Sequence, residues 1–78
     1  MRKKEEKLVV TFHTTAGAIA MEKLCGKLGL PGKLISVPRS LTSDCGLAWC
    51  AELSLRPQLE AALEGKDMDL EGIYQVPV

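Results

Sequence analysis

The stretch from Pro38 to Cys50, PRSLTSDCGLAWC, gathers an arginine, an aspartate and two of the chain's three cysteines. The thiolate is the nucleophilic and acceptor form of cysteine, and it is favoured by exposure and nearby positive charge. Cys45 stands directly before Gly46, so a turn there can leave its sulfur uncovered as an acceptor thiol. The plain alternative is a turn cysteine at the entrance to a strand. Cys50 alternates with core-facing residues and reads as a small apolar strand residue, or as a resolving thiol or dimer contact. Cys25 falls in a helix and reads as a partly buried packing residue. A Cys45–Cys50 disulfide is disfavoured, because five extended residues span roughly 16 Å against a limit of about 7 Å between bridged Cα atoms.

Other chemistry near these thiols is limited. His13, the only histidine, can serve as a base for Cys45 or stand as a strand-end residue in water. Arg39 can bind an anion or a carboxylate, or be a solvated loop charge. C-x4-C with one histidine lacks the paired spacing of a structural zinc site, so neither a metal set nor a cofactor is read. PRSLTSDCG has no G-x4-G-K pattern and is not a P-loop. Its arginine precedes the cysteine, which also argues against a cysteine phosphatase loop.

These residues need elements to position them. KLVVTF, residues 7–12, is β-branched and aromatic and reads as a strand. TTAGAIAMEKLCGKLG follows with Ala16, Ile19, Ala20, Leu24 and Leu28 as an apolar stripe, a Thr14 or Thr15 cap, and a stop at Gly29 before Pro31. The small residues Ala16, Gly17, Ala18 and Ala20 would let its first turns pack closely. GKLISV (32–37) is a second strand, and LAWCAEL (47–53) a third, with Leu47, Trp49, Ala51 and Leu53 on one face. Ser54 is expected to cap a second helix from Leu55 to about Glu64, with Pro57 in its first turn and Gly65 at its end. GIYQVPV (72–78) is the fourth strand, where Pro77 suits an edge.

The order β-α-β-β-α-β implies an α+β, ferredoxin-like two-layer sandwich, with a four-stranded antiparallel sheet and both helices on one face. With spatial strand order 4-1-3-2, the end of the first strand lies beside the loop before the third. His13, Thr14 and Thr15 are then expected near Arg39 and Cys45, beside the positive end of the first helix, surroundings that favour a thiolate. Asp44 pushes the other way. The opposite sheet face would carry Val9, Thr11, Ala48 and Cys50, too apolar for open solvent, and a second copy is a natural cover.

The length of 78 residues fits one domain, residues 1–78, with the alternating charges of residues 1–6 frayed into solvent. Such a chain buries only about 60–65 % of its unfolded surface and gains from self-association. A formal net charge of zero and three aromatic residues speak against nucleic-acid binding. Apolar runs as short as LVV and AIAM give neither a signal peptide nor a membrane span, so a cytoplasmic setting with reduced thiols is expected.

The run AMEKLCGKLGLPGKLISVPRSLTSDCGLAW, with VTFHTTAGAI before it, resembles the small bacterial selenium/sulfur carrier protein-like family. Its members share a strand ending in T-F, a helix containing A-x-x-x-E-K, and a P-R-x-[IL]-[ST]-x-x-C-G core. The resemblance covers about Val9 to Trp49 and extends loosely to the last strand. It implies that Cys45 is the carrier thiol, framed by Pro38, Arg39 and Gly46, in bacteria of anaerobic habit. Ser36 and Leu41 depart mildly from the family pattern, and Cys50 stands where a polar residue is more usual. Two functions are therefore expected in turn. The first is a carrier, not an enzyme, that accepts sulfur or selenium on Cys45 from a donor protein and passes it to an acceptor. The second is a small interaction or regulatory module that dimerises or binds a partner through its sheet face.

Overall fold

The computed structural model describes residues 5–41, 44–66 and 68–78. The elements run β1 (Glu6–Phe12), α1 (Thr15–Leu28), β2 (Lys33–Ser36), β3 (Leu47–Ala51), a 3-10 turn (Leu53–Leu55), α2 (Arg56–Leu63) and β4 (Leu70–Pro77). All strand pairs are antiparallel, in the order β2-β3-β1-β4. This is the expected ferredoxin-like α+β architecture. Of the N-terminal segment expected to fray, residues 1–4 lie outside the described residues. Glu5 and Glu6 are not frayed: Glu6 is in β1, and Glu5 and Val78 exchange backbone hydrogen bonds at 3.4 and 3.1 Å.

Alternation along the central strands divides the molecule. Leu8, Val10, Phe12, Trp49 and Ala51 face the helices and pack with Ala18, Met21, Cys25, Leu59 and Leu63 as the core. The stripe expected on α1 is corrected. Gly17, Ala18, Met21 and Cys25 are its buried residues, whereas Ala16 is exposed and Ile19 and Leu28 are 41 % and 52 % exposed. Small or apolar residues occupy most of this helix's circumference, so periodicity establishes a helix without saying which side faces inward. Close packing decides it: a Cβ on Gly17 would lie 2.2 Å from the carbonyl oxygen of Met68. Only glycine permits that approach.

The second helix also begins differently. β3 stops at Ala51, the chain tightens into the 3-10 turn, and Ser54 falls inside that turn instead of capping α2. The cap position of α2 is Leu55, without a side-chain bond. Leu53 and Leu55 pack against the core, so burial replaces the missing cap in holding this start.

On the other sheet face, Val9, Thr11 and Ala48 are fully buried and Cys50 is 7 % exposed within a single chain. The exposure that called for a second copy at these positions is absent. The β2–β3 loop leaves the β2 edge and, near its end, brings the Asp44 N–H to 3.3 Å from Glu71 Oε1 of β4. Near its start it borders a groove of about 530 Å³ with Ile35, Ser36, Pro38, Arg39, Ser40, Pro77 and Val78. No helix among the described residues is long and apolar enough to cross a membrane.

Candidate functional site

The end of β1 builds one side of the corner that holds Cys45. His13 follows Phe12 and donates its backbone N–H to Asp69 O at 2.7 Å. Thr14 is the N-cap of α1: its Oγ1 accepts the Gly17 N–H at 3.0 Å and donates to Asp69 Oδ2 at 2.7 Å. Thr15 is the exposed first residue of the helix. The helix N-terminus is thus engaged by its own cap, whose hydroxyl is in turn held by a carboxylate of the chain.

The loop builds the other side. Val37 N–H donates to Gly46 O at 3.0 Å, closing the base of the loop. Gly46 has φ +75°, the left-handed region where a side chain is strained, so the turn expected there forms. The turn does not leave the sulfur bare. Cys45 is half-buried and packs against the helix-side core, its Sγ accepting the Leu47 N–H at 3.4 Å and donating to Leu47 O at 3.5 Å. None of the three cysteines is in a disulfide.

His13 and Asp44 meet with Nδ1 and Oδ2 2.7 Å apart. That hydrogen bond is the main cause raising the His13 pKa above its ordinary 6.5, and the charges of Glu71, Asp44 and Asp69 add to it. Of the expected gathering of His13, Thr14 and Thr15 near Cys45 and Arg39, the structure brings His13 to Asp44, the residue before Cys45, while Thr14 bonds Asp69 and Gly17. Arg39 and Pro38 lie elsewhere, lining the groove beside Pro77 and Val78. The corner expected to welcome anions already holds Asp44, Asp69 and Glu71.

Asp69 and Glu71 are the residues the sequence reading missed. A signal existed: the acidic run DMDLEG leads into β4, which the strand order places beside β1. Its local cause is a slip in pairing. Thr11 pairs with Gly72 and Phe12 with Leu70, so Glu71 has no register partner in β1 and its side chain is re-aimed.

Cys50 has a contrasting setting. It lines a cavity of about 340 Å³ with Lys7, Lys33, Glu52, Pro31, Gly32 and Ala51. Burial pushes its thiol pKa up, while the charges of Lys7 and Lys33 pull it partly back. Lys7 is paired with Glu52. Cys25, fully buried in the core, is raised by burial.

Over residues 7–75 the chain matches the family described as "Putative Se/S carrier protein-like". No match was found among curated proteins, and none among solved structures. The match spans nearly the whole chain, and the protein belongs to that family.

Proposed function

From this membership and the placement of its thiols, we propose that the protein carries sulfur or selenium on Cys45 and acts without catalysing a reaction of its own. In the sulfur case, the Cys45 thiolate attacks the outer sulfur of a donor protein's persulfide. The donor's S–S bond breaks, a new S–S bond forms on Cys45, and the donor leaves as a thiol with the proton that Cys45 gave up. The step is an exchange and requires no external oxidant. Passing the outer sulfur to an acceptor thiol reverses the same chemistry.

The observation that carries this reading is the position of Cys45. Among the three thiols it is the one on a loop with partial exposure, whereas Cys25 is fully buried and Cys50 is 7 % exposed. The Leu47 N–H aimed at its sulfur is a donor that an anionic chalcogen can keep. His13 and Thr14 shape the neighbouring rim, Gly46 sets the turn, and Arg39 with Pro38 offers a separate surface for a donor or acceptor protein. A reducing bacterial cytoplasm suits a thiol that must stay free between transfers. The alternative of a module binding through its sheet face lacks the open apolar surface it needs at Val9, Thr11, Ala48 and Cys50.

The test is to incubate the reduced protein with a small persulfide donor and locate the added sulfur by mass spectrometry. One sulfur on Cys45, lost in Cys45→Ser, supports the reading. Added sulfur on Cys50 with Cys45 unmodified, or no transfer to a folded protein, overturns it.

A further inference from the structure

We propose that His13, Asp44 and Glu71 form a binding site for one divalent first-row transition-metal ion. One candidate ligand atom from each residue, an imidazole nitrogen and two carboxylate oxygens, lies within 4.8 Å of the others. The three residues come from the end of β1, the β2–β3 loop and β4, so the tertiary fold assembles the set. Each is steadied by the backbone. His13 N–H is held by Asp69 O at 2.7 Å, Asp44 N–H meets Glu71 Oε1 at 3.3 Å, and Glu71 projects from the slip in the β1–β4 pairing.

Charge supplies the second argument. Two carboxylates converge around one imidazole, with Asp69 close by. Among the described residues, no lysine or arginine forms a salt bridge to Asp44 or Glu71. A dication relieves the mutual repulsion that a single imidazolium can only halve. One nitrogen and two carboxylate oxygens suit zinc and its first-row neighbours, whereas calcium and magnesium favour all-oxygen sets.

The geometry is close to closing. Atoms within 4.8 Å of one another leave an ion placed centrally among them no more than about 2.8 Å from each, at most roughly 0.7 Å outside zinc bonding distance, and the 2.7 Å hydrogen bond between His13 Nδ1 and Asp44 Oδ2 would open to admit it. The His13 and Asp44 side chains are 52 % and 66 % exposed, so they can rotate inward. Cys45, although next to Asp44, turns its sulfur to Leu47 and is not in the set. The site therefore stands apart from the carrier reading, and either can fail alone.

Zinc chloride titrated into the untagged full chain tests the site, using competition with a chromophoric chelator and the NMR signals of the single imidazole. One equivalent should bind with a dissociation constant of about 10 µM or tighter. The imidazole signals should shift with it. His13→Ala, Asp44→Asn and Glu71→Gln should each weaken binding at least about tenfold, and Cys45→Ser should leave it unchanged. An imidazole that does not respond to about 100 µM zinc overturns the proposal. So does binding that survives the His13 and Glu71 substitutions, or that disappears with Cys45→Ser. Should a variant unfold by circular dichroism, the wild-type imidazole response decides alone.

Discussion

β3 has a cysteine near each end, and the two ends have opposite character. Before it, Cys45 sits by a corner of Asp44, Asp69, Glu71 and His13. Within it, Cys50 lines a cavity with Lys7 and Lys33 on either side. The more accessible thiol has acidic neighbours, and the thiol with basic neighbours is the buried one. Positive charge alone therefore does not set a thiol's ionisation here: two lysines face Cys50, yet burial still dominates. Access is what separates the two.

The largest expected effect tests access directly. In the folded protein, Cys45 should be alkylated at least about a hundredfold faster than Cys25, which is exposed only by opening of the core. Cys50 should fall between them, and site-resolved mass spectrometry across pH reads all three rates. Equal rates for Cys45 and Cys50 would erase the contrast. The same series carries a stability prediction. Burial raises the pKa of both Cys25 and Cys50, so the fold favours their neutral forms. That stabilisation is complete below the ordinary thiol value of about 8.5 and is lost as pH rises through the higher folded values. Thermal unfolding should therefore show a falling Tm above about pH 8.5, and Cys50→Ala should flatten part of the fall.

Gly17→Ala comes next. Its new methyl would press on the Met68 carbonyl, which adjoins Asp69, and should cost about 1–3 kcal/mol in denaturant unfolding. The damage belongs to the acidic corner. Alkylation of Cys45 should change in this variant while that of Cys50 stays near the wild-type rate. A change confined to Cys50 would mean that α1 does not brace the corner.

The smallest effect separates charge from burial. Lys33→Glu replaces an attracting charge beside Cys50 with a repelling one and should slow its alkylation about two- to fivefold at low salt, leaving Cys45 unchanged. The difference should fade as salt rises. A slowing that persists in high salt would point to altered packing.

Local residue chemistry determined the elements of this protein. β-branched runs, the Thr14 cap, the Gly29 stop and the Gly46 turn all act through contacts within a few residues, and the β-α-β-β-α-β order restricts the ways four strands can assemble. The same order placed His13 and Thr14 beside the loop that carries Cys45. The inward side of α1 was not legible, because its apolar residues surround the axis and only the approach of Gly17 to Met68 selects a face. Ser54 as a cap failed for a related reason: Leu53 and Leu55 gain more by burial against the core than the serine could by capping. The covering of the second sheet face and the turning of Glu71 toward His13 and Asp44 belong to the tertiary structure alone. One depends on what packs over Val9, Thr11 and Ala48 within the single chain, the other on a one-residue slip between β1 and β4. Neither leaves a period or a spacing in the chain, because both arise between residues that become neighbours only after the sheet has formed.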